Sequence, residues 1–433
     1  MHDLKKISNK KLSAYLVLRF PMWCFVFLFF NPTTNAQYLE DYLRQATENH
    51  VELKSAYQKW QASLKKIPQE TALPDPTVSV GYFILPIETR LGPQQAKFSI
   101  NQQFPWFGTL KAREKLAVQQ ADLEYTQLAV IKNNLLFDVK QYYFELYELQ
   151  QKIKLEKLQL EILQSMENIT LQAYENNTKP LTTLLELQMA IRESNTHINN
   201  LLSTFKSKTV AFAETIGNTS PSKQRLVINL PDTLIPAILV MDFPILLESA
   251  KKNNPQAQVL LQTIENEDKK LYVVKHESRP KIIAGIDYGI LEQRTDANPE
   301  DNGRNILMPQ LSVTLPVFNK AKYQALQQET ILNKESKQSE YKSFLNDLEV
   351  VLYQAWSDYK IAESNLQLIQ EQHATLTQIE RLTISRFSNT EVDYVEMLDI
   401  KLAKIDLEKA RATQLVKMAT SKALLEKLSG IAI

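Results

Sequence analysis

Glycine and proline are nearly missing from two long stretches of this 433-residue chain. Its eight glycines leave none between Gly108 and Gly217 or between Gly303 and Gly430, and proline is absent from 106 to 179 and from 317 onward. Without helix breakers these stretches predict uninterrupted helices. One running from about 109 to 175 would span roughly 100 Å at about 1.5 Å per residue, far more than a globular core needs. Cysteine occurs once, at Cys24, and the five histidines, at 2, 50, 197, 276 and 373, are dispersed. That spacing suits no metal site, and there is no Gly-rich phosphate loop or nucleophile elbow. The residues therefore give little support to an enzyme, and no metal or cofactor is expected.

Long apolar runs are also scarce. The one near the N-terminus follows Lys5, Lys6, Lys10 and Lys11, passes through Trp23 to Phe30, and ends at Thr34-Asn35-Ala36. This resembles a secretory signal over 1–36, although Arg19 and Pro21 interrupt it. Cys24 follows Trp23 where a lipoprotein signal needs a small residue, so lipidation is not expected, and the mature chain would hold no thiol. Beyond it no 18-residue apolar run remains, so no membrane-spanning helix is expected. Removing 1–36 leaves 45 basic and 48 acidic residues, a balance that suggests no nucleic-acid partner.

What is present is a duplication. Asn49, Pro76 and Gly81 precede Asn253, Pro280 and Gly285 by 204; Pro105 and Phe107 precede Pro316 and Phe318 by 211; Leu185 and Gly217 precede Leu398 and Gly430 by 213. Such a period is that of a whole domain rather than a solenoid unit. Each copy reads helix, two strands, very long helix, turn, helix. The first repeat is placed at 37–217, with strands near 77–84 and 96–104, a long helix near 109–175 and a return helix near 181–215. A linker at 218–245 precedes the second repeat at 246–433, with strands near 281–291 and 308–315 and helices near 320–387 and 392–428.

Leu128, Leu135, Tyr142 and Leu149, with Val139, Leu146, Ile153 and Leu160, make two heptad series in the first long helix. Taken alone these helices fit a soluble coiled-coil spacer equally well. The strands decide otherwise. Val78, Val80 and Tyr82 alternate with Thr77, Ser79 and Gly81, and Phe98, Ile100 and Phe104 with Lys97, Ser99, Asn101 and Gln103; Ile282 to Ile290 and Leu311 to Leu315 repeat the pattern. Strict period two over about 9 to 11 residues marks a membrane barrel strand, apolar toward lipid and polar toward a lumen. Four strands cannot close, and an open edge in lipid costs several kcal/mol per unpaired group. Three copies would supply twelve strands and set the long helices side by side in a tube, so a homotrimer is expected. Export together with barrel strands points to a bacterial outer membrane, with the helices reaching into the periplasm.

These residues resemble the TolC-like outer-membrane efflux channels over essentially the whole mature chain. The likeness rests on Leu73-Pro74-Asp75-Pro76, on Phe98-Ser99-Ile100-Asn101-Gln102-Gln103-Phe104-Pro105-Trp106-Phe107-Gly108, and on Leu311-Ser312-Val313-Thr314-Leu315-Pro316-Val317-Phe318, in that order. It implies a mainly α protein with transmembrane β structure: long hairpins forming a trimeric α-barrel tunnel, and four strands per chain in a 12-stranded β-barrel. It also implies a passive conduit rather than an enzyme. Its partners would be outer-membrane lipid, a periplasmic adaptor (membrane fusion) protein and an inner-membrane pump of the resistance-nodulation-division class.

Pro105 and Pro316 cannot donate to a ladder and would end strands where the barrel bends into the tunnel. Trp106, Phe107, Gly108 and Phe318 belong to that junction, Trp106 as the better girdle residue, with core packing an equal alternative for Phe107 and Phe318. By resemblance, Asn177, Thr178, Leu181, Asn389, Thr390 and Val392 form the adaptor-docking tips. Asn177 and Asn389 stand where relatives carry Gly, and Asn is the next best residue for a left-handed turn. Glu396 and Asp399 share a helix face and resemble the acidic rings of the periplasmic constriction, with Glu186 at the matching place in the first copy. The alternative for these acids is an ordinary solvated face. The family branch most resembled serves heavy-metal pumps; a drug or general exporter and a type I secretion channel are the alternatives. A trimeric coiled-coil scaffold without a pore is the reading from another class.

Overall fold

The computed structural model describes residues 34–218, 227–388 and 394–432. The expected leader through residue 33 lies outside them, as do Asn389, Thr390 and Val392. The first half contains α1 (Thr34–Asn49), α2 (Val51–Thr71), β1 (Thr77–Thr89), β2 (Gly92–Phe104), α3 (Thr109–Glu175) and α4 (Leu181–Thr215). The second contains α5 (Phe243–Asn253), α6 (Pro255–Glu277), β3 (Lys281–Leu291), β4 (Ile306–Thr314), a 3-10 turn (Val317–Asn319), α7 (Lys320–Ser388) and α8 (Tyr394–Ser429). The 67 residues of α3 and the 69 of α7 occupy the stretches that lack glycine and proline.

The four strands form one antiparallel sheet in the order β1-β2-β3-β4, so each half contributes a hairpin and β2 joins β3 across the duplication. One expectation is corrected here. The strands placed near 77–84 and 96–104 extend toward each other, with no long loop between them: β1 continues to Thr89 and β2 starts at Gly92. The register slips between Tyr82 and Ile87, around Pro86, which has no N–H to give to a ladder. The slip accommodates the proline, and pairing resumes.

Each half closes on the same joint. Gly217 has φ of 70° and Gly430 of 69°, both left-handed. A β-carbon on Gly217 would lie 2.7 Å from the backbone of Asn49, and one on Gly430 only 2.3 Å from that of Asn253. The end of each return helix thus sits on the break between the two short helices that open its own repeat. Only glycine combines that conformation with that approach.

The helices pack along their length: α3 lies against α2, α4, α6 and α8, and α6 lies between α3 and α7. One core gathers Leu43 and Ala46 of α1, Val139, Tyr143 and Leu146 of α3, Phe212 of α4 and Ala419 of α8. The other gathers Leu246 and Ala250 of α5, Leu352 and Tyr359 of α7, and Leu415 and Met418 of α8. The linker is strapped across both by tyrosine hydroxyls. Tyr147 accepts from the Leu234 N–H at 3.0 Å; Tyr359 accepts from the Leu239 N–H at 2.8 Å and donates to the Ala237 carbonyl at 2.9 Å.

Candidate channel site: barrel, junction and helical tips

The sheet has two chemically distinct faces. Val78, Val80, Tyr82, Phe98, Ile100, Ile286, Tyr288, Leu311 and Val313 all lie on one and are exposed in the single chain. The opposite face carries Ser79, Ser99, Asn101, Asp287, Gln310 and Ser312. β1 and β4 are the edges, each paired on one side within the chain.

A polar network crosses the second face. Asp287 stands opposite Ser99, whose hydroxyl bonds its carboxylate, and the Lys97 ammonium on the diagonal lies 2.5 Å from Oδ2. The Gln310 amide donates to Asp287 Oδ1 at 2.9 Å and to Asn101 Oδ1 at 3.3 Å. The Asp287 side chain is left only 5% exposed. The flanking Gly285 and Gly289 give the network room: a β-carbon at 285 would lie 2.0 Å from Asn101 Oδ1, and one at 289 would lie 2.9 Å from the Gln94 amide. Sequence reasoning placed Lys97 and Asp287 on the polar face but did not pair them. Opposite charges of matching parity in neighbouring strands were the available signal.

At the junction, Gly108 adopts φ of 86° and precedes α3, and its α-carbon faces the His276 ring, 3.3 Å from where a β-carbon would sit. Pro105 and Trp106 line a small cavity there with Thr109, Arg113 and His276. Pro316 precedes the 3-10 turn that leads into α7. The Trp106 and Phe107 rings meet edge to face at 5.9 Å. Phe107 is 78% exposed and Phe318 fully so, which removes the core-packing alternative for both within the chain. Trp106, expected as the more prominent girdle residue, is half-buried; the two phenylalanines project further.

The first tip turns at Asn177, whose φ is 54°. The Thr178 N–H and hydroxyl both bond the Ala173 carbonyl, at 2.8 and 2.7 Å, so this hydroxyl caps its own helix. Leu181, Leu185 and Met189 then form an exposed apolar strip on α4. On α8, Leu398 is buried against Leu163 and Met166 of α3, and that contact turns Glu396 and Asp399 outward, both exposed. Glu396 has a partner that the sequence did not reveal, the Arg386 guanidinium of α7 at 3.7 Å. Glu186 is exposed on α4, in the other hairpin. Among the described residues, no cluster of three or more His, Cys, Asp or Glu is placed to hold a metal ion, and no helix is long and apolar enough to cross a membrane.

Above the tips the two hairpins are tied by polar links between α3 and α8. Lys140 pairs with Glu426 at 2.5 Å, and Thr413 donates to Glu148 at 2.7 Å. Further toward the tips, Lys409 bonds both Glu156 and Gln159 at 2.5 Å, while Ser194 of α4 donates to Glu156 at 3.0 Å. None of these pairings was foreseen.

Solved structures share this architecture. The outer-membrane channel OprN superposes with a TM-score of 0.73 at 13% identity, over 91% of this chain and 90% of its own. The outer membrane protein VceC of Vibrio cholerae gives 0.72 at 11% identity, over 93% and 99%. The CmeC outer membrane channel of Campylobacter jejuni gives 0.70 at 14% identity, over 91% and 86%. The fold is that of the TolC-like outer-membrane channels. No family profile matches the sequence, and no curated protein matches it. At these identities the likeness is one of fold, carried by the paired hairpins, the four-stranded sheet and the long helices.

Proposed function

We propose that this chain is the outer-membrane channel-tunnel of a tripartite efflux system. As a homotrimer it would pass solutes from the periplasm, or from an inner-membrane pump of the resistance-nodulation-division class joined through a periplasmic adaptor, to the exterior. The observation that carries this reading is the four-stranded sheet. One face is apolar and exposed, the other polar, and both edges remain open, an arrangement that suits a segment of a closed barrel in lipid and ill suits a scaffold in water. The conduit would hydrolyse nothing. Glu396, Asp399 and Glu186 are assigned to the periplasmic constriction, and the two hairpin tips to the adaptor. The exposed strip from Leu181 to Met189 supports docking at the first tip. Phe107 and Phe318 are assigned to the lipid boundary, on the strength of their exposure.

Heavy-metal cations are the proposed cargo, on the resemblance of the junction motifs alone; a drug or general exporter is the second reading. A deletion strain sensitive to metals but with ordinary drug tolerance supports the first, and the reverse pattern supports the second.

The test of the channel is single-channel conductance of the purified protein in a planar bilayer. Small, stable steps blocked by multivalent cations from the helical side are expected. Replacing both Glu396 and Asp399 with Ala should raise the conductance or abolish the block. Unchanged conductance and block would remove the pair from the constriction. Failure of an established trimer to conduct, even with both carboxylates replaced, would favour the scaffold.

A further inference from the structure

On the polar face of the sheet, away from its two ends, Lys97 and Asp287 are the charged residues, and they are paired with each other; Glu88 lies next to the end of β1, opposite Pro93 and beyond the register slip. The surrounding positions on that face are neutral: Ser79, Gly81, Ser99, Asn101, Gln310 and Ser312 among them. Lys281 stands apart at the β3 terminus, opposite Thr314. The backbone ladder between β2 and β3 runs from Gln94 to Phe104, so the strands do not depend on this pair for their alignment. Buried ion pairs can commonly be replaced by neutral groups at little cost in stability, whereas removal of one partner leaves an uncompensated charge.

We infer that the Lys97–Asp287 pair keeps the interior of the β-barrel electrically neutral, so that the barrel conducts without regard to the sign of a solute's charge and discrimination is left to the periplasmic end. This rests on the channel reading above. In a trimer the pair occurs three times at one level, so loss of one partner would place three like charges around the lumen, a ring of the kind that sets ion selectivity in pores. Lys97 covers Asp287, and the Ser99 and Gln310 bonds hold the carboxylate within its reach. The pair therefore stays closed without depending on the solute.

Two measurements test this. The first uses reversal potentials in a KCl gradient, in the background with Glu396 and Asp399 replaced by Ala so that the entrance does not dominate. The intact pair should give little preference. Asp287→Asn should make the pore favour anions and Lys97→Gln cations, while the double variant and the charge-exchanged K97D/D287K chain should return to the intact value. A strongly selective intact barrel, or single variants that shift in the same direction or not at all, would overturn the inference.

The second measurement leaves the pair untouched, which guards against misfolding of the single variants. A cysteine at Ser79, on the exposed part of the same face, is labelled with a cationic and an anionic thiol reagent of similar size. The ratio of the two rates should match that of a free thiol within about threefold at low ionic strength, since like charges at this range would shift it further. A larger skew would sink the idea. Absence of conductance from an established trimer even with Glu396 and Asp399 replaced would instead count against the channel reading, which separates the two failures.

Discussion

Glu156 shows what one carboxylate can hold. Its side chain is 7% exposed on α3, yet it receives the Lys409 ammonium of α8 and the Ser194 hydroxyl of α4, so a single residue ties both hairpins of the molecule. Lys409 is itself 20% exposed and also bonds Gln159. Replacing Glu156 with Ala would leave the largely buried Lys409 ammonium with only Gln159 and the more distant, exposed Asp406, which should cost about 2 to 3 kcal/mol in thermal unfolding followed by helical circular dichroism. Glu156→Gln keeps the shape and an acceptor and should cost less. A Leu at 156 combined with a Met at 409 should recover most of the loss, because it removes both charges together. If the double change is as damaging as the single one, the site needs its charge for something other than pairing.

The helices meet the linker through a belt of tyrosines, and this joint carries a pH signature. Burial pushes the hydroxyls of Tyr42, Tyr143, Tyr147 and Tyr359 above the ordinary tyrosine value, while backbone donors from the linker oppose the shift at Tyr42, Tyr147 and Tyr359. The folded chain therefore holds these protons more tightly than the unfolded one. Their contribution is complete below the unfolded value near 10 and is lost as pH rises through the folded values. Melting temperatures should fall as pH rises above about 10, and Tyr143→Phe, which removes the most strongly shifted group, should flatten that fall. A flat alkaline profile in the native protein would refute the burial account.

Elements of this length were legible because the cause is local. Absent breakers let α3 and α7 run, and period two separates the faces of each strand. Asn177 was legible for the same reason, since a left-handed turn tolerates few side chains. The end of β1 was placed near 84, whereas the sheet takes up Pro86 in a register slip and carries the strand on to Thr89. The partners Arg386 to Glu396, Lys409 to Glu156 and Lys97 to Asp287 were not legible. Each depends on how one element is rotated against another, and no spacing within a single element records that. The same limit applies to Trp106, which lines a cavity shared with His276 and Glu277 of α6 and Tyr323 of α7.

At the scale of the whole molecule, the sheet is what separates a membrane channel from a soluble spacer, and its two faces make opposite predictions. Val80 lies on the apolar face and Ser79 beside it on the polar face, both exposed in the single chain. If three copies close a barrel in lipid, Val80→Asp puts a carboxylate into hydrocarbon in each copy, a change costing up to about 2 kcal/mol per chain for an acid at the midplane. Ser79→Asp puts the same group into water. The first variant should lose its heat-modifiable band on a gel and its outer-membrane fractionation; the second should keep both. In an open sheet in water the two substitutions would be equivalent, as each would add one solvated charge to an exposed strand. Equal behaviour would therefore argue against lipid on either face, and with it against the trimeric barrel, whatever the likeness in fold. A loss confined to Val80 would fix which side of the sheet is outside, and hence that Lys97 and Asp287 face the lumen.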